Sequence, residues 1–130
     1  MTKKPEIVKQ EDLIEGTDGL YYVEDAQIPF TGTSEQFHTN GQVKFKDNYK
    51  NGKRDGPSKS YYENGQIEIS KNYKNEKQDG LTTAYYKNGI LRYEQNYKND
   101  KRDGLSEYYD KYGQSSRKVI YENGIYLKDL

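Results

Sequence analysis

The stretch Asn48-Tyr49-Lys50-Asn51-Gly52-Lys53-Arg54-Asp55-Gly56 returns 24 residues later as Asn72-Tyr73-Lys74-Asn75-Glu76-Lys77-Gln78-Asp79-Gly80, and again as Asn96-Tyr97-Lys98-Asn99-Asp100-Lys101-Arg102-Asp103-Gly104. The same 24-residue step keeps whole columns in register. Tyr49, Tyr73, Tyr97 and Tyr121 fill one column, and Phe37, Tyr61, Tyr85 and Tyr109 another. Gly41, Gly65, Gly89 and Gly113 form a third, Gly32, Gly56, Gly80 and Gly104 a fourth, and Asn51, Asn75, Asn99 and Asn123 a fifth. Self-similarity at a fixed period of this length marks a repeat architecture, in which each unit buries its face against its neighbours. Residues 34–57, 58–81 and 82–105 are full copies, and 106–130 is a worn closing copy.

Each period reads as two strands and two turns. Asn40-Gly41, Asn64-Gly65 and Asn88-Gly89 are hairpin signals, because both residues tolerate positive φ. The run Gln66-Ile67-Glu68-Ile69-Ser70 alternates apolar with polar at period two, as does Gln42-Val43-Lys44-Phe45-Lys46. In the second turn Glu76 and Asp100 stand where Gly52 did, which assigns any left-handed residue there to Asn75 and Asn99. The expectation is an all-β fold: an elongated antiparallel sheet of tandem 24-residue hairpins.

The loop length decides the faces. A two-residue Asn-Gly loop pairs Tyr62 with Ile67; a three-residue loop with Gly65 left-handed pairs Tyr61 with Ile67. The aromatic column at 37, 61, 85 and 109 favours the second. Strict alternation then places Tyr61, Ile67, Ile69 and Tyr73 on a packed face, with Tyr85, Leu91, Tyr93 and Tyr97 as equivalents. Tyr62, Tyr86, Glu68 and Arg92 fall on the other face and are free to bind.

The ends are expected to differ, as terminal repeats do. Residues 1–15 read as a flexible tail, and residues 16–130 as one domain opened by a hairpin over 16–33, in which Leu20–Val23 faces Gln27–Phe30. The single-domain reading agrees with a length of 130 residues. Only about one residue in six is Leu, Ile, Val or Phe, while Tyr numbers 15, so the surface available for burial is mainly tyrosine ring. That suits a thin sheet. The 21 basic and 21 acidic residues cancel, which removes a global attraction to nucleic acid or anionic lipid. Without cysteine, disulfides and thiolate chemistry are excluded. Localisation stays open, because the start lacks the apolar stretch of a leader and the chain is equally compatible with a trimmed, exported form.

Tyr61-Tyr62-Glu63-Asn64-Gly65-Gln66 and the 48–56 unit resemble MORN repeats, and more closely the variant in the bacterial YwqK family of toxin–antitoxin antitoxins. Asp18-Gly19-Leu20-Tyr21-Tyr22 followed by Pro29-Phe30-Thr31-Gly32 is similar to that family's first unit. The resemblance implies a non-catalytic hairpin array with an antitoxin-like role.

The residues offer little chemistry. His38, the lone histidine, sits in the Tyr62/Tyr86 column with no acid–base partner in its pattern. Asp55, Asp79 and Asp103 lack the spacing of calcium β-rolls and read as turn residues bonding their own backbone. Near-identical repeats argue against a unique active site, so neither enzyme activity, a metal nor a cofactor is expected. The basic ladder of Lys50, Lys53, Arg54, Lys74, Lys77, Lys98, Lys101 and Arg102 is interleaved with acids and protects sheet edges, which argues against nucleic acid as a partner. What remains is a protein–protein interaction module whose binding residues are Tyr62, Tyr86, Arg92 and Glu68. The competing expectation is an exported surface module binding glycan or lipid head groups.

Overall fold

The computed structural model describes residues 6–130. Its strands are β1 (Glu6–Lys9), β2 (Leu13–Glu15), β3 (Tyr21–Val23), β4 (Gly32–Phe37), β5 (Val43–Lys50), β6 (Lys53–Tyr61) and β7 (Ile67–Lys74), then β8 (Lys77–Gln78), β9 (Gly80–Tyr85), β10 (Leu91–Lys98), β11 (Lys101–Tyr109), β12 (Ser115–Glu122) and β13 (Ile125–Asp129). One sheet runs in the order β1-β4-β5-β6-β7-β9-β10-β11-β12-β13, with β8 paired to β7; β2 and β3 form a separate ribbon. Among the described residues every pairing is antiparallel except β1 with β4. The expected meander of hairpins is present, and the described residues contain no α-helix.

The Asn-Gly turns follow the three-residue reading. Tyr62 N–H donates to the Gln66 carbonyl at 2.8 Å, Gly65 N–H donates to the Tyr62 carbonyl at 3.0 Å, and Gly65 sits at φ +86°. Tyr61 consequently faces Ile67. The next pair, however, is Ser60 with Ile69, which leaves Glu68 as an extra residue on β7. The same bulge recurs at Lys44, Arg92 and Ser116.

This corrects the face assignment. Adjacent residues of a strand point to opposite faces, so Tyr61 and Ile67 lie on one side while Ile69, opposite Ser60, lies on the other. Two cross-sheet rows then share a face. One runs Gln36, Phe45, Ser60, Ile69, Ala84, Tyr93, Tyr108, Arg117. The other joins Ser34, Asp47, Ser58 and Lys71, then Thr82, Gln95, Ser106 and Val119. In a flanking row each Tyr lies opposite a Gly of the preceding strand: Tyr49 on Gly32, Tyr73 on Gly56, Tyr97 on Gly80, Tyr121 on Gly104. Nearly all the buried side chains belong to these rows: Ser34, Asp47, Tyr49, Thr82, Ala84, Ser106 and Val119. Small hydroxyls beneath tyrosine rings make this the packed face.

The opening departs from expectation in two ways. Residues 6–15 are no tail: β1 lies parallel to β4 and β2 pairs with β3, backbone pairing that leaves no periodic mark in so short a segment. Residues 1–5 of that expectation lie outside the described residues. Gln27–Phe30 forms no strand either, since Pro29 has no N–H to offer a ladder and Asp25 turns the chain at φ +63°. Phe30 instead buries itself against Tyr49, with centroids 5.8 Å apart, and Tyr21 packs on the same ring at 5.4 Å.

Candidate functional site

The expected site residues do come together. Tyr62 lies within electrostatic reach of Glu68 and Arg92, and the Arg92 guanidinium sits 5.8 Å from the Tyr86 ring centroid. Burial, then the Glu68 charge, push the Tyr62 phenol above its ordinary value. Their hydroxyls, however, are already used. Tyr62 Oη donates to the Tyr85 carbonyl and Tyr86 Oη to the Tyr109 carbonyl, each at 2.7 Å; His38, in the same column, reaches the Tyr61 carbonyl through Nε2 at 2.8 Å. These half-buried rings tie each repeat to the next, which corrects the expectation that the sheet does not need them.

Parallel ties run along both ends of the hairpins. Asn40, Asn64 and Asn88 donate from Nδ2 to the carbonyls of Glu63, Lys87 and Lys111. At the other end Asp55 and Asp103 accept the N–H of Asn75 and Asn123. Those aspartates therefore serve the following repeat rather than their own turn. Both central residues of the second turn are left-handed, including Glu76 at φ +73° and Asp100 at φ +67°, not the asparagines alone. Each carboxylate offsets the strain by accepting a backbone N–H of the preceding repeat: Glu76 from Arg54 and Asp100 from Gln78, both at 2.7 Å. The basic ladder is likewise partly structural, since Arg54 and Arg102 stack over Tyr73 and Tyr121 at 5.5 and 4.2 Å.

The packed face holds a feature that sequence reasoning missed. A cleft of about 240 Å³ opens between Phe45, Asp47, Arg54, Ser58, Ile69 and Lys71. Phe45 forms an outer wall and is still 38 % exposed. Asp47, only 8 % exposed, accepts the Ser58 hydroxyl. Burial works against the Arg54 charge, but contact with Tyr49 and the Asp47 charge outweigh it and hold the guanidinium firmly protonated. Its Nε is buried without a hydrogen-bond partner among the described residues. Among the described residues no three His, Cys, Asp or Glu side chains are grouped to hold a metal.

Compared with known families, residues 30–51, 54–75 and 78–99 match the model described as a MORN repeat variant, together about half of the chain. The chain belongs to the MORN repeat variant family. No curated protein and no solved structure matches it. In this MORN repeat protein the family matches cover β4 to β10 apart from short gaps, the part of the sheet that carries the cleft.

Proposed function

We propose that this protein is a non-catalytic protein–protein interaction module that receives its partner on the indented face of the sheet. One observation supports the cleft over the Tyr62–Tyr86 column: Phe45 stands exposed beside the cleft, whereas the Tyr62 and Tyr86 hydroxyls are committed to neighbouring repeats. An exposed aromatic next to a charged, half-buried pocket is the arrangement from which interface hot spots are built. An antitoxin-like pairing, in which the partner is a single cognate protein, is the form of this reading favoured by the resemblance to YwqK proteins. Binding of glycan or lipid head groups has less support, because the chain has no Trp to stack on a sugar and its 21 basic and 21 acidic residues cancel.

The test is capture of the native partner on the immobilised chain. Phe45→Ser should lose it, while Tyr62→Phe with Tyr86→Phe should keep it. Capture should also survive moderate salt, which screens exposed charge pairs. Retention by Phe45→Ser would move the site elsewhere.

A further inference from the structure

Resting on that interaction reading, we infer that the cleft beside Phe45 receives an acidic side chain from an extended segment of the partner protein. The argument is one of unmet charge. Among the described residues, Arg54 and Lys71 bring two positive charges to the cleft against a single carboxylate, Asp47, which already holds the Ser58 hydroxyl. Lys71 is half-buried and makes no ion pair or hydrogen bond among the described residues. Arg54 Nε has no acceptor among the described residues. A buried donor left unsatisfied is costly, and a carboxylate is the acceptor that a guanidinium binds best, through two parallel N–H bonds after a small side-chain rotation.

Size and walls narrow the occupant. At about 240 Å³ the cleft is smaller than the roughly 300–1,000 Å³ of sites for free small molecules. It suits one side chain entering from a larger body. Phe45 and Ile69 flank it in one cross-sheet row, separated by Ser60, and offer apolar contact to the residues on either side of an inserted glutamate or aspartate.

The experiment is ¹⁵N NMR on the full chain, following the Arg54 Nε–H signal during three titrations. The probes are the peptide Ac-Thr-Val-Glu-Val-Thr-NH2, its Gln analogue, and inorganic phosphate. The Glu peptide should shift the signal saturably, with at least about tenfold higher affinity than the Gln peptide. Lys71→Gln, which leaves Arg54 on Tyr73, should remove most of that preference. Equal binding of the two peptides, no response to either, or an unchanged preference in Lys71→Gln would overturn the inference. Phosphate binding as tightly as the Glu peptide would assign the cleft to a free anion and overturn it as well. If the peptides fail while Phe45→Ser still loses the native partner, the acidic occupant is wrong and the interaction reading stands. If the Glu peptide binds but Phe45→Ser keeps the partner, the interaction reading fails instead.

Discussion

Removing one oxygen from Tyr62 should weaken the junction between two repeats. Tyr62→Phe deletes the 2.7 Å bond to the Tyr85 carbonyl and leaves the ring in place. A typical intramolecular hydrogen bond contributes about 1 kcal/mol, and a partly buried acceptor left without a donor raises the loss toward 2 kcal/mol. Tyr86→Phe deletes the equivalent bond to the Tyr109 carbonyl at the next junction. The two sites serve different junctions but share Arg92 as a neighbour, so the sum of the single effects, about 2–4 kcal/mol, is the value from which the double variant departs by their coupling. Tyr112→Phe is the control: that ring is 75 % exposed, and its change should stay within about 0.5 kcal/mol. Urea unfolding followed by far-UV circular dichroism measures all three, and an unchanged slope shows that stability alone moved. If Tyr62→Phe cannot be distinguished from Tyr112→Phe, the inter-repeat role of this column is wrong.

Other outcomes follow from the turns, the core and the titrating groups. Gly52→Ala puts a Cβ within 2.8 Å of Leu20 Cβ and 2.9 Å of Pro29 Cβ at φ +80°, and should cost about 2–4 kcal/mol in thermal unfolding. Glu76→Ala keeps the left-handed strain and loses the bond to Arg54 N–H, costing about 1–2 kcal/mol, whereas Glu76→Gly relieves the strain and should be nearly neutral. Val119→Ala, at a fully buried position, should cost about 2 kcal/mol. Burial, then the hydrogen bond and charge of Glu107, push the Tyr109 phenol up to about 12 from 10.0. A raised pKa gives stability that is complete below pH 10 and lost as pH climbs from 10 to 12. Ultraviolet titration should accordingly show Tyr109→Phe removing a late-ionising phenol. Asp129 titrates low, held there first by Arg117 and then by Tyr126. Its contribution is present above the usual aspartate range and lost as pH falls through it, so Asp129→Asn should flatten the acid limb of a stability–pH curve.

The turn chemistry and the pairing of Tyr61 with Ile67 were legible in the sequence because Asn-Gly dictates loop geometry locally. The bulge at Glu68 was not, since its column holds Lys44, Glu68, Arg92 and Ser116 and carries no compositional mark. A signal existed nonetheless. Seating the Tyr73 column on the Gly56 column demands one more residue on β7 than the turn allows, and only a bulge supplies it. β1 escaped notice because its parallel partner lies far along the chain. The ties from Tyr62, Asn64 and Asp55 to the next repeat were hidden for another reason: a 24-residue column shows that a position matters but not whether neighbour or partner requires it. The cleft depends on Arg54 folding inward over Tyr73, a side-chain choice that no spacing encodes.

Photo-crosslinking in the source cells tests most directly whether the indented face is where a protein is received. Benzoylphenylalanine placed at position 45 should trap one discrete protein species, and the same group at position 112 should trap none. Crosslinks from position 112, with none from position 45, would contradict it.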